Sequence, residues 1–137
     1  MAVTEETRMR GGSPGLAEAL EDHLDRWSRR TGVTVETWAL PEGDVEPRVS
    51  RAVLVAFREA LANVEQHSRA TTVSVAVTLG ASGLRMTVSD DGIGFTAPRG
   101  GRGTAMMRAA FAELGGSLTI GGVPGEGTTV TGVIPTR

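Results

Sequence analysis

The chain has 137 residues, 39% hydrophobic and 22% charged, with a formal net charge of −2 at pH 7. That is the size and composition of one globular domain with one core, and the charge gives no attraction to nucleic acid or an anionic membrane. Cysteine is absent and all 14 basic residues are arginine, which excludes disulfides, thiolate metal sites, a cysteine nucleophile, a lysine-bearing P-loop and Schiff-base chemistry.

His23 and His67 are too few for a histidine-rich metal site. No apolar run approaches membrane-spanning length, and the N-terminus lacks a signal-peptide pattern. A cytoplasmic domain that makes no membrane contact of its own is expected. Residues 1–14 are polar and contain Gly11-Gly-Ser-Pro14, the composition of a flexible lead or linker remnant. The folded domain is expected over 15–137.

Leu16, Leu20, Leu24 and Trp27 repeat at helical spacing, and Gly32 stands where a C-cap belongs, so the first helix should span about 15–30. His23 lies at the edge of that stripe, as a rim histidine beside Trp27 rather than a phosphate acceptor. A β-rich stretch, Val33 to Leu40, closes at Pro41-Glu-Gly-Asp. The second helix is expected from Glu46 or Pro47 to about His67, with a wide apolar arc centred on Val49, Val53, Ala56, Ala60 and Val64. Asn63 falls inside that arc, and Glu59 shares its face one turn earlier. A buried asparagine needs partners for its amide. Either Asn63 caps a neighbouring loop, or its oxygen faces a hard cation such as magnesium, which takes one or two protein oxygens together with waters and phosphates. Glu59 is a solvated glutamate or a group that orders a water at the same site. His67 continues the row, as a core-edge histidine or a further site contact.

Two strands follow, Thr72 to Leu79 and Leu84 to about Asp90, joined by the turn Gly80-Ala-Ser-Gly83. Val73, Val75, Val77 and Leu79 share one face of the first; Leu84, Met86 and Val88 share the apolar face of the second, and the period of two carries Asp90 inward and Asp91 outward. An inward aspartate is costly unless something satisfies it, and a ligand's amine would do so. Asp91 reads as a solvated turn residue. The glycine-rich stretch from Phe95 to Gly103, with Arg99 and Arg102, reads as a mobile loop. It opens a helix from Thr104 striped by Met107, Phe111 and Leu114, which offers free N–H groups to an anion. Gly115-Gly116 ends that helix. The closing hairpin runs Ser117 to Gly121, then Thr128 to Ile134. Parity puts Thr128, not Thr129, inside near Asp90, although β-propensity alone also explains a threonine there.

The order α, β, α, β, β, α, β, β indicates an α+β two-layer sandwich, with a mixed, mostly antiparallel five-stranded sheet and three helices on one face. Four stretches in this order resemble the motifs of one family: Arg58-Glu-Ala-Leu-Ala-Asn-Val-Glu-Gln-His67, Asp90-Asp-Gly-Ile-Gly-Phe95, Gly101-Arg-Gly103 and Pro124-Gly-Glu-Gly-Thr128. Over about residues 15–137 the chain resembles the catalytic ATP-binding domain of bacterial sensor histidine kinases, of the Bergerat-fold superfamily. The Glu-Ala-Leu-x-Asn wording and short lid look most like the nitrate-sensor subclass.

The resemblance implies a set of roles. Asp90 would bind the adenine amine, with Thr128 behind it through a water. Gly92, Ile93 and Gly94 would shape the adenine pocket. Asn63 would ligate Mg2+, and Glu59 would act through a water on the ion or as a base. Gly101 and Gly103 would let the lid wrap the phosphates of ATP, with Thr104 and His67 completing the nucleotide contacts. Gln66 stands where many relatives carry a basic residue, and Thr104 and Met106 depart from the usual Leu and Gly. No phospho-accepting histidine on a helix pair is recognised, so the implied partners are a separate dimerisation and histidine-phosphotransfer domain and, indirectly, a response regulator. An anti-sigma-factor serine kinase and a non-catalytic nucleotide-gated module are the competing expectations.

Overall fold

The computed structural model describes residues 15–92, 102–123 and 125–136, apart from the side chains of His67, Ser68, Arg102 and Val123. The expected lead over 1–14 and the loop 95–101 lie outside the described residues. In chain order the elements are α1 (Leu16–Thr31), β1 (Thr34–Ala39), α2 (Pro47–Asn63), β2 (Thr72–Gly80), β3 (Gly83–Asp90), α3 (Arg102–Ala112), β4 (Ser117–Val123) and β5 (Gly127–Pro135).

Helix α1 begins where Glu18 accepts the N–H of Gly15 at 3.1 Å and ends at Gly32, left-handed at φ 80°. Its stripe Leu16, Leu20, Leu24 and Trp27 is buried as the spacing predicts. Helix α2 starts at Pro47, whose missing N–H costs nothing in a first turn. It buries Ala52, Val53, Ala56, Phe57, Ala60 and Leu61. Its regular part stops at Asn63 rather than His67: Val64–Ser68 form a π-helical turn, closed by Arg69 at φ 57°. Helix α3 starts at Arg102, slightly before the predicted Thr104.

The five strands lie in the order β1-β2-β3-β5-β4. β1 runs parallel to β2, with a register break between Thr37 and Ala39, and the remaining neighbours are antiparallel. The inward residues of β2, β3 and β5 and the buried faces of all three helices form one core. Phe111 of α3 seats against Gly132 of β5, where any Cβ would collide with the ring. Leu79 departs from its expected inward position and is 43% exposed, although Leu84 opposite it on β3 is buried.

The topology gathers the site. α2 is the crossover between the parallel strands β1 and β2, so its C-terminal end leads straight into the start of β2. That start pairs with the end of β3, Val73 opposite Asp90, and β3 pairs with the start of β5, Asp90 opposite Thr128. Asn63, Asp90 and Thr128, far apart in sequence, therefore come to one end of the sheet.

Candidate functional site

On the sheet side, the end of β3 distinguishes its two carboxylates as strand parity predicts. Asp90 is half-buried and Asp91 exposed. Asp90 turns one oxygen back to the N–H of the buried Gly92 at 2.8 Å, an Asx turn that shapes the exit from the strand. Burial pushes the Asp90 carboxyl up from its ordinary value, while the backbone N–H groups of Gly92 and Thr128 partly offset that. A half-buried carboxylate held from behind by backbone donors keeps lone pairs for an incoming N–H group. Thr128 is partly buried and Thr129 is exposed, bonded to Ser89 at 2.8 Å, which agrees with the predicted parity.

Asp91 is more than a solvated turn residue. One of its oxygens accepts the backbone N–H groups of Thr71 at 2.8 Å and Thr72 at 3.0 Å, and the other accepts the Thr71 hydroxyl at 2.8 Å. These bonds, that from the Thr72 backbone first, hold its carboxyl below the ordinary value. Strand parity carries no sign of this role, because the donors lie twenty residues earlier.

Gly127 has a part in the site that no sequence expectation gave it. At φ 100° it starts β5 directly against the end of β3, and an added Cβ would strike the carbonyl oxygen of Asp90. Only glycine lets the strand carrying Thr128 come this close. Its place immediately before Thr128 in the Gly-Glu-Gly-Thr motif was the available signal.

On the helix side, Glu59 and Asn63 are one turn apart and both partly buried. Neither side chain makes a hydrogen bond or ion pair to another described residue. Gly103, in the first turn of α3, lies against Glu59: a Cβ on it would collide with the Glu59 carboxylate oxygen. The positive end of the α3 dipole favours that carboxylate. Thr104 beside it is buried. Gly103 and Thr104 thus open a helix at the Glu59 face. Ile93, Gly94 and Gly101, and the side chain of His67, lie outside the described residues.

Among the described residues no group of three His, Asp or Glu side chains stands ready to hold a metal by itself. A half-buried amide with its oxygen uncommitted fits a magnesium ion whose remaining ligands are phosphates and water. His23 sits half-buried on α1, and burial, with Arg58, Arg26 and Arg30 adding to it, lowers its pKa. That is the rim position predicted for it. No helix among the described residues is long and apolar enough to cross a membrane. A groove of about 570 Å3 at the other end of the sheet, lined by Leu79, Arg85, Gly116 and Ile134 among others, contains none of the predicted site residues.

The chain is similar in sequence and fold to known proteins. The chain is 30% identical over 124 residues to the sensor histidine kinase LiaS of Bacillus subtilis, covering 88% of this chain and 34% of LiaS. It is 34% identical over 88 residues to the nitrate/nitrite sensor protein NarX of Escherichia coli, covering 64% of this chain and 15% of NarX. The chain therefore spans about a third or less of the length of these curated relatives. The histidine kinase domain of the Erythrobacter litoralis blue-light-activated kinase EL346 superposes with a TM-score of 0.73 at 25% identity, over 88% of this chain and 61% of that one. The mycobacterial sensor histidine kinase MprB shares the fold, with a TM-score of 0.67 at 20% identity, over 90% of this chain and 96% of that one. The match that decides membership runs over residues 48–137, from the start of α2 through the whole site. On that match the chain belongs to the histidine kinase-, DNA gyrase B- and HSP90-like ATPase family.

Proposed function

We propose that this domain binds Mg-ATP between the ends of β3 and β5 and the helices α2 and α3, and that it is the catalytic part of a sensor histidine kinase. The observation that carries the reading is Asp90: a half-buried carboxylate, held by the backbone of Gly92 and Thr128, at the sheet end where α2 delivers Asn63. Asp90 accepts the exocyclic amine of adenine, with Thr128 behind it. Gly92, Ile93 and Gly94 flank the base, and Gly101, Gly103 and Thr104 border the phosphates, with His67 as an additional contact. Asn63 holds Mg2+ through its amide oxygen; the ion, when bound, neutralises phosphate charge. Glu59 orders a water or takes a proton. Because its carboxylate already lies at the start of α3, a cation or water must separate it from an arriving phosphate.

Phosphoryl transfer depends mainly on positioning and charge stabilisation, which suits a site with so few polar side chains. The acceptor is a histidine on a separate dimerisation domain, from which a response regulator is served. The Glu59-Ala-Leu-Ala-Asn63 wording and the likeness to NarX support the nitrate-sensor-like subclass, while LiaS, matched over more of the chain, supports only the broader group.

Titration of the domain with ATP, with and without Mg2+, tests the pocket. Asp90→Asn should weaken ATP binding by about 10- to 100-fold, the value of a hydrogen bond to a charged group. Unchanged affinity in a folded Asp90→Asn variant overturns the assignment. Supplying a histidine-bearing dimerisation domain and following phosphohistidine formation tests the transfer; ATP binding without phosphohistidine would leave a nucleotide-gated module instead.

A further inference from the structure

The last turn of α2 is an awkward place for a metal ligand. Helix ends fray unless something ties them down. Here the regular helix stops at Asn63, and the N–H of Val64 is shared between the carbonyls of Ala60 and Leu61. The chain then widens into the π-helical turn Val64–Ser68, which ends on a left-handed arginine, Arg69. Such turns occur mostly as single-turn insertions in α-helices, frequently at functional sites. Left to itself, this stretch has an ordinary helical turn as a close competitor, and interconversion would loosen the turn that carries Asn63.

One side chain opposes this. Glu65 projects from the π turn to α1 and is held there by three hydrogen bonds. The indole N–H of Trp27 donates to its Oε1 at 3.3 Å, and the Arg30 guanidinium donates to Oε2 at 2.7 Å and to Oε1 at 3.1 Å. The anchor is firm because Trp27 is only 4% exposed and belongs to the core stripe of α1. Both oxygens of the carboxylate are engaged by the planar fork, which fixes orientation as well as distance. An indole N–H buried in a core needs an acceptor, and Glu65 supplies one across 38 positions of sequence.

We propose that Glu65 is a positioning residue for the metal: by clamping the π turn to Trp27 and Arg30 of α1, it holds the last turn of α2 so that Asn63 presents its amide oxygen to the cation. This rests on the reading of Asn63 as the magnesium ligand. Glu65 itself touches neither nucleotide nor ion. The clamp also ties metal affinity to α1, so a displacement of that helix is felt at Asn63 before it is felt at Asp90.

The test is binding, not turnover. ATP affinity is measured by calorimetry on the 137-residue chain, first in chelator and then across a Mg2+ titration. Glu65→Gln and Arg30→Met should each raise the Mg2+ concentration needed to tighten ATP binding by about three- to tenfold, leaving metal-free affinity at the wild-type value. The double variant should be no worse than the single ones, because both remove the same interaction. The exchange Glu65→Arg with Arg30→Glu should recover part of the loss. Arg30 is exposed, so its variant keeps the test open if Glu65→Gln fails to fold.

Wild-type Mg2+ dependence in the folded variants overturns the proposal, as does an equal loss of metal-free affinity, which would make the clamp merely structural. Asn63→Ala separates the two readings. If it shifts the Mg2+ dependence while the clamp variants do not, only the clamp fails. If it shifts nothing, the metal assignment and the clamp fall together.

Discussion

The two flanks of the site are built on opposite plans. The sheet flank is made of backbone: Asp90 is held by N–H groups of Gly92 and Thr128, and Gly127 brings the strands together by having no side chain. The helix flank is made of side chains that hold no other side chain among the described residues. Asn63 and Glu59 have no hydrogen-bond or ion-pair partner among the described residues, and their shared helix ends in a π turn whose own Glu65 is bonded to Trp27 and Arg30 of α1. A flank fixed by strand register is ready before its ligand arrives, and it selects for shape. A flank of uncommitted oxygens is completed by its ligand, and it selects for charge. This division suits a nucleotide, whose base is flat and neutral and whose phosphates are charged and metal-bound.

The largest way to break the contrast is to give the sheet flank a side chain. Gly127→Val must leave φ 100° or collide with the Asp90 carbonyl. It should cost about 3 kcal/mol or more in urea unfolding and abolish ATP binding with or without metal. The corresponding change on the helix flank should be milder and confined. Asn63→Ala leaves no strained backbone, so stability should change little. The Mg2+ requirement for ATP binding should rise about tenfold, or 1.4 kcal/mol, with metal-free affinity retained.

The effect of pH is graded rather than abrupt, and it separates the adjacent carboxylates. Burial raises the Asp90 pKa, so on acidification this group loses its charge at a higher pH than an ordinary aspartate, whose value is 3.8. ATP affinity should fall on acidification through that raised value, by about tenfold per unit below it, and Asp90→Asn should remove the dependence. The stability signs are opposite. For Asp90 the folded state binds the proton more tightly, so its contribution is full below the ordinary value and lost as pH rises through the raised one. For Asp91, whose pKa is depressed, the contribution is present above the ordinary value and lost as pH falls through the lower one.

Much of this division was legible in the residues. Apolar spacing placed α1 and its stripe, and the period of two in β3 and β5 put Asp90 and Thr128 inside, because a pleated strand allows only two directions. Interactions between distant segments were not legible. The π turn leaves no mark, since Ala60, Leu61 and Val64 fit an uninterrupted α-helix equally well. Gly132 reads as a weak point in a strand until Phe111 is seen seated on it. The alternation that placed Leu79 inward held for Val73, Val75 and Val77 but not at the end of the strand, where Leu79 is 43% exposed. Asp91 looked like a turn residue because its partners belong to the start of another strand.

Asp91 also links the two flanks, which are distant from each other along the chain. Its carboxylate holds Thr71 and Thr72, where the chain leaves the helix flank, and its own N–H bonds to the Thr72 carbonyl at 3.2 Å. The residues that lead into β2 and the residue that follows β3 are fastened together at Asp91, so amide exchange at Thr71, Thr72 and Asp91 is expected to respond together when that carboxylate is removed.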